Sequence, residues 1–258
     1  MKAIIFAGGF GTRISEESGV RPKPMVEIGG KPILWHVMKM YSAFGINDFI
    51  ILCGYKSSVI KDYFANYALY NSDVTFDMES HTMKMHKNGA ENWKVTLVET
   101  GADSTKSQRL MAAKDYIGDE TFCLTYGDGV SDLNMTELIQ FHKKENALVT
   151  VTAVQPPGRF GGMLIKKGQT KITSFKEKPI GDGAWINGGF MVVEPEALLY
   201  IKDPTKDWEE DAMHYLAEDG KLSAFVHTGY WQCMDTLRDK NILEQTWQSG
   251  NAPWKVWE

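Results

Sequence analysis

The sequence has three cysteines in 258 residues, Cys53, Cys123 and Cys233, widely spaced and without a C-x-x-C. An odd, scattered set excludes a disulfide scaffold and a cysteine zinc site, and it fits a reducing compartment. Buried, inert thiols are expected at all three. No apolar run approaches the roughly 18 residues of a membrane span. The opening MKAIIFAGG is too short an apolar stretch for a secretory leader, so a cytoplasmic protein is expected. A basic surplus is lacking too: Lys+Arg total 28 against 33 Asp+Glu, a net charge of −5. That excludes a general nucleic-acid binder. Glycine and proline, 24 and 9, are too few for collagen, long linkers or low complexity. With 43% apolar and 24% charged residues, disorder is excluded. No linker or repeat interrupts the chain, so one domain over residues 1–258 is expected.

What is there is an alternation of short apolar runs and helical patterns. Lys2–Ala7 (KAIIFA), Phe49–Cys53 (FIILC) and Thr121–Tyr126 (TFCLTY) read as strands buried on both faces, each closed by glycine. Pro32–Phe44 reads as a helix, with Pro32 suited to its first turn and Gly45 to its stop. Val59–Tyr67 follows as a second helix. Asn134 caps a third through Lys144, before a strand over Ala147–Ala153. This order predicts an α/β fold: a mixed, mostly parallel sheet flanked by helices. Val74, Phe76, Met78, Met83 and Met85 alternate with polar residues. Residues 74–98 are therefore expected as antiparallel strands added to the core, a β-rich insertion. Short strands with Gly-rich turns are expected over Gly158–Val193, and a helical C-terminus after them.

The chemistry starts after the first strand, in Ala7-Gly8-Gly9-Phe10-Gly11-Thr12-Arg13. Ligands in open α/β sheets bind beyond the carboxyl ends of strands. Three glycines in four positions let backbone N–H groups approach a phosphate, or simply make a tight connection. Arg13 favours the first reading, because a guanidinium there can neutralise phosphate oxygens. Ile14 stands where a dinucleotide fingerprint needs its third glycine, which disfavours an oxidoreductase. No G-x-x-x-x-G-K-[ST] is present, which excludes a P-loop NTPase. In Arg21-Pro22-Lys23-Pro24-Met25 two prolines stiffen the backbone around a lysine, a second candidate phosphate-binding cation. Gly127-Asp128-Gly129 puts a carboxylate at a strand end with room for a ligand. It reads as a magnesium ligand or as an ordinary turn aspartate. The six histidines, His36, His81, His86, His142, His214 and His227, have no partner of note in sequence. His36 is expected within a helix and the others in surface or structural places.

Taken together, AGGFGTR, PKPM, the Gly-Asp-Gly after a strand and Glu177-Lys178-Pro179 resemble the sugar-1-phosphate nucleotidyltransferases. The segments CGYK, TYGDG, PPGRFG, FKEKP, GDGAWINGGF and WQCMDTLRDK are similar to the bacterial branch that couples CTP to glucose 1-phosphate. The likeness runs from Met1 to Trp257. It implies a Rossmann-like nucleotidyltransferase fold, CTP and glucose 1-phosphate as substrates, CDP-glucose and pyrophosphate as products, and Mg2+ as cofactor. It also implies a cytoplasmic homo-oligomer acting in O-antigen and lipopolysaccharide biosynthesis. Carried over position by position, it makes Arg13 and Lys23 the catalytic cations. Phe6, Ala7, Gly8, Gly9, Phe10, Gly11, Thr12, Ser104, Arg109 and Gly127 become nucleotide contacts. Glu177, Lys178 and Asn187 become sugar-phosphate contacts, and Asp128 and Asp235 metal ligands. Asp235 has no signal of its own, since before Thr236-Leu237-Arg238 it reads equally as a helix cap.

One segment departs from the family pattern. Where the family has Thr-Gly-Gly-Arg, this chain has Lys106-Ser107-Gln108-Arg109, two bulkier residues near the expected base pocket. UTP or dTTP, or another sugar 1-phosphate, is the alternative substrate reading. Cytosine presents acceptors at O2 and N3 and an amine donor, so a donor-only Arg109 suits O2 or N3. By spacing alone Arg109 reads as a surface arginine on a helix from about Gln108 to Tyr116. A sugar 1-phosphate is largely dianionic at neutral pH and needs no general base. Arg13, Lys23, Lys178 and a divalent ion are therefore expected to act by charge neutralisation and positioning. The presence of Arg13, Lys23, Asp128 and Asp235 together disfavours a non-catalytic relative. The 74–85 stretch and Trp247, Trp254 and Trp257 carry the apolar surface expected at the interface of the oligomer.

Overall fold

The structure is a computed structural model in which residues 1–14, 19–156, 162–165, 170–176 and 184–258 are described. Seven strands make the central sheet: β1 (Ala3–Phe6), β2 (Asp48–Cys53), β3 (Lys94–Glu99), β4 (Phe122–Tyr126), β5 (Val149–Val154), β6 (Ile186–Val193) and β7 (Leu222–Val226). Their order is β7-β5-β6-β4-β1-β2-β3. Strand β1 pairs in parallel with β2 on one side and with β4 on the other, Ile5 lying opposite both Ile51 and Thr125. Only β6 runs against its neighbours β4 and β5. The expected mixed, mostly parallel sheet is what the chain forms.

Alternation along β1 explains the two hydrophobic layers. Ala3 and Ile5 face one way, onto α1 (Ile33–Ser42) through Ile33, Leu34 and Val37. Ile4 and Phe6 face the other way, into a layer with Leu110, Trp208, Ala212 and Leu216. A strand with residues buried on both faces has no polar alternation, which is why these runs were legible. Helix α1 stops where Gly45 takes φ +79° and donates its N–H to Ser42. The expected second helix appears as α2 (Ser57–Ala65) and a short turn over Tyr67–Tyr70. A third, α3 (Lys106–Ala112), and a fourth, α4 (Met135–Glu145), follow. Asn134 caps α4 by accepting from Thr136 and Glu137, as its sequence position implied. Helix α5 (Leu237–Gln248) closes the chain.

Residues 74–98 depart from expectation. Ser72–Asp77 and Thr82–Asn88 pair only with each other, as a hairpin outside the central sheet. Lys94–Glu99 instead joins the sheet as β3, parallel to β2. Alternation identifies strands but does not say which sheet receives them. The strands over Gly162–Ile165 and Ile172–Lys176 form a second separate hairpin. Strand β6 lies in the stretch expected to hold short strands and ends in the buried apolar run Phe190–Val193, whereas β7 is a half-exposed strand where only helix was expected. Among the described residues no helix is long and apolar enough to cross a membrane. All three cysteines are free, and desolvation pushes each thiol up to about 12; Cys53 and Cys123 are buried as expected, whereas Cys233 is only half-buried.

Candidate active site

Strand order reverses about β1: β2 and β3 lie on one side, and the chain then crosses to β4 on the other. Such a switch point leaves a crevice beyond the carboxyl ends of the two strands. A pocket of about 290 Å³ lies there. Its walls come from the glycine loop after β1 (Ala7, Gly8, Gly9, Gly11 and Thr12), the turn after β4 (Gly127 and Asp128), and Lys23, Arg109 and Asp235. Most of the sequence-nominated residues therefore meet in one place. Phe6 and Tyr126, the last residues of β1 and β4, stack at 5.7 Å on its floor.

The strongest charge cluster joins three distant segments. Lys23 Nζ donates to Asp128 Oδ2 at 2.6 Å and to Asp235 Oδ1 at 2.7 Å. Pro22 and Pro24 flank the lysine in a short 3-10 turn, so the backbone fixes where the ammonium points. Burial works against that charge, but the attraction of the two carboxylates outweighs it and holds the ammonium above its ordinary pKa. Asp235 does not cap the helix that follows. Thr236 does, in a capping box with Asp239, which frees Asp235 to face the pocket. Two converging carboxylates form a hard-oxygen donor set already closed around a cation. That is the number of protein carboxylates magnesium takes beside substrate phosphates.

Arg109 is buried, 4% exposed, and is not a surface arginine. Its Nη1 donates to the carbonyls of Cys53 and Gly101 and to Thr100 Oγ1, and its Nη2 to the carbonyls of Gly8 and Ala102. Both terminal nitrogens are thus engaged by protein oxygens, which revises the picture of a free donor held out to cytosine. The guanidinium passes so close to the glycine loop that a Cβ on Gly8 would lie 2.2 Å from Nη1. That contact, and not phosphate approach alone, accounts for the glycine.

The departure at residues 106–108 also finds a local explanation. Gln108 is exposed, and its Oε1 accepts the Thr105 N–H in the capping box that starts α3. Ser107 is buried within the helix. Lys106 lines the pocket and pairs with Glu209 at 2.6 Å and Asp207 at 3.2 Å. Neither bulky residue fills the space above the glycine loop. Lys106, Tyr126 and Glu209 escaped the sequence reading, because no spacing connects Glu209 with Tyr126, 83 residues apart.

Three nominated contacts stand apart from the pocket walls. Phe10 is exposed against Tyr55, with ring centroids 5.1 Å apart. Ser104 turns back to donate to the Thr100 carbonyl. Asn187, near the start of β6, accepts the Gly189 N–H at 2.8 Å. Arg13 belongs to the 3-10 turn Thr12–Ile14, but its side chain lies outside the described residues, as do Glu177 and Lys178.

Comparison with known proteins points the same way. The family model described as nucleotidyl transferase matches residues 2–240. A Salmonella typhimurium protein named glucose-1-phosphate cytidylyltransferase is 56% identical, over the full length of both chains. A mannose-1-phosphate guanyltransferase of Yarrowia lipolytica is 30% identical over 95% of this chain and 63% of its own length. Among solved structures, a UDP-glucose pyrophosphorylase from Acinetobacter baumanii shares the fold. It has a TM-score of 0.68 at 17% identity, over 95% of this chain and 92% of that one.

Proposed function

The chain belongs to the nucleotidyl transferase family, and we propose that it transfers a cytidylyl group from CTP to glucose 1-phosphate. The observation that carries this reading is 56% identity, end to end, to a relative named for that reaction. The products are CDP-glucose and pyrophosphate. A phosphate oxygen of glucose 1-phosphate attacks the α-phosphorus of CTP, and the bond to the bridging oxygen of pyrophosphate breaks in line. The nucleophile is already anionic, so no side chain has to remove a proton. The obstacle is the approach of two anions. Lys23 supplies positive charge from one wall, and Arg13 does so from the turn after the glycine loop. The backbone N–H groups of residues 8–12 face the triphosphate. Arg109 serves the nucleotide through the loop it holds in shape. Asp128 and Asp235 would hold Mg2+, which when bound supplies neutralising charge to the phosphates.

Glu177, Lys178 and Asn187 take the acceptor in this reading. Soluble, charged substrates fit a cytoplasmic enzyme, and the exposed hairpin over residues 72–88 supports a homo-oligomer. The test is a panel of initial rates of pyrophosphate release with CTP, UTP, dTTP and GTP at equal concentration, with and without glucose 1-phosphate. CTP with glucose 1-phosphate is expected to lead by at least tenfold, since a base that leaves polar groups unpaired loses about 1–3 kcal/mol. Equal rates with UTP or dTTP would overturn the base assignment.

A further inference from the structure

Among the described residues three cations line the pocket: Lys23, Lys106 and Arg109. Two are engaged by the protein itself. Lys23 lies between Asp128 and Asp235, and both terminal nitrogens of Arg109 rest on protein oxygens, most of them backbone carbonyls. Lys106 differs. Its side chain is 31% exposed, against 13% for that of Lys23. Its ammonium lies 5.8 Å from the centre of the Tyr126 ring on the pocket floor. An ammonium has three N–H donors. Glu209 takes one at 2.6 Å and Asp207 a second at 3.2 Å, which leaves one.

The segment that holds this ammonium is itself fixed. The Lys106 N–H donates to Asp207 Oδ1 at 2.9 Å, and Thr105 Oγ1 donates to the Pro204 carbonyl at 2.6 Å. Trp208, between the two carboxylates in sequence, is fully buried. The second oxygen of Glu209 accepts the Tyr126 hydroxyl, and the Tyr126 ring stacks on Phe6. Burial works against the charge on Lys106, but the two carboxylates outweigh it and hold the ammonium above its ordinary pKa. A charged donor thus reaches the pocket from a rigid mount. Its place along the pocket follows from the other charges. Lys23, Asp128 and Asp235 set the phosphate end, so the nucleoside end falls to the wall that α3 supplies with Lys106 and Arg109.

We propose that Lys106 determines the choice of base: its remaining N–H donates to N3 of the cytosine ring. The proposal rests on the cytidylyl-transfer reading and deepens it. Cytosine presents an acceptor at N3 beside an amine donor, whereas uracil presents an N3–H donor beside an O4 acceptor. An ammonium can only donate, so it pairs with N3 of cytosine and opposes the N3–H of uracil. Two carboxylates against one ammonium also leave this corner net negative, which favours the cytosine amine over the uracil O4. Both effects act in the same direction. Discrimination then comes from a position where the family has threonine, and not from the free Arg109 donor that the motif implied.

The experiment measures kcat/KM for CTP and for UTP, and KM for glucose 1-phosphate, in Lys106→Met and in Lys106→Met combined with Glu209→Gln. Methionine keeps the reach of the side chain and removes its charge. The second change neutralises the carboxylate that the first leaves unpaired. In both variants the CTP-to-UTP ratio of kcat/KM should fall on the order of 10-fold, the scale of one polar contact to a charged donor, and the loss should be in the CTP rate. Calorimetric titration with CTP and with UTP, without glucose 1-phosphate, should show the same loss of preference in Kd. KM for glucose 1-phosphate should stay within about twofold, since the acceptor contacts are untouched. A ratio unchanged in both variants would overturn the proposal. So would an equal loss with CTP and UTP, which would put the ammonium on the ribose or the phosphates. A ratio that falls in the single variant and returns in the double one would assign the effect to the unpaired carboxylate, and would overturn it too. A wild-type enzyme with no preference for CTP over UTP would instead overturn the functional reading beneath it.

Discussion

A lysine held between two carboxylates is poised against phosphate, because anything that binds the carboxylates releases its charge toward the substrate. Lys23→Ala is therefore expected to lose about 10²-fold or more in turnover, the cost of one oriented charged contact. Its circular dichroism should stay unchanged, and near-wild-type turnover would refute the role. Asp128→Asn and Asp235→Asn should each raise the Mg2+ concentration needed for half-maximal rate, and full activity in excess chelator would end the metal assignment. Lys23 was legible because two prolines mark it. Asp235 was not, since its partner stands 107 positions away (235 − 128) and only the fold brings them together. His36 shows a further limit of sequence, because its periodicity said helix and nothing of its surroundings. Its Nε2–H donates to the Ile28 carbonyl at 2.9 Å, and its Nδ1 accepts from Trp254 at 3.4 Å, inside a cage that includes Trp247 and Trp257. Burial depresses its pKa from 6.5 to about 4, against a weaker pull upward from the Ile28 carbonyl and Glu244. A depressed folded-state pKa contributes stability that is whole above pH 6.5 and lost as pH falls toward 4. Between pH 7.5 and 5 the loss should be about 2 kcal/mol by urea unfolding. His36→Gln keeps a donor and an acceptor without titrating, and should flatten that slope.

At the level of elements, the pocket depends on how the ends of β1, β2 and β3 are tied together. Arg109, on α3, holds carbonyls from the glycine loop, from the end of β2 and from the turn after β3. Gly54 is the hidden member of this arrangement. A Cβ there would lie 2.3 Å from Arg109 Nη1 and 2.8 Å from the carbonyl oxygens of both Gly8 and Gly101. Backbone cannot yield as a flexible side chain does, so Gly54→Ala should push the glycine loop out of shape. We expect KM for CTP to rise on the order of 10-fold, as displacement of an aligned loop by even about 1 Å is costly. Melting temperature should change by only a few degrees, and an unchanged KM for CTP would refute this coupling. In sequence Gly54 marked the end of a strand and a family-like CGYK, and nothing of its approach to Arg109. Buried strands were legible as apolar runs because water is excluded from both their faces. The hairpin over residues 72–88 was legible as strands but not as a separate sheet, because alternation encodes a face and not a neighbour.

For the whole molecule, the open question of surface is which apolar residues are already covered. The tryptophans at the C-terminus belong to the monomer: Trp254 is 1% exposed, and Trp247 and Trp257 pack around His36. They do not support an interface. The hairpin does. Phe76 faces Met83 across its two strands, and Val74 faces Met85, so the four share one side. Phe76, Met78, Met83 and Met85 are 53%, 78%, 51% and 41% exposed. Two strands alone are marginally stable in water, and an apolar face of this kind calls for a cover. Nothing else in the described chain covers it, and a second copy offers the same self-complementary stripe. We therefore expect a homo-oligomer by light scattering at micromolar concentration. Replacing Phe76 and Met83 together with Lys puts like charges directly opposite each other on that face, and should shift the protein to the monomer. The site lies beyond the carboxyl ends of β1 and β4 and takes no residue from the hairpin. A monomeric variant that keeps its pyrophosphate-release rate would make the hairpin an assembly device alone. A monomeric wild type would overturn the interface altogether.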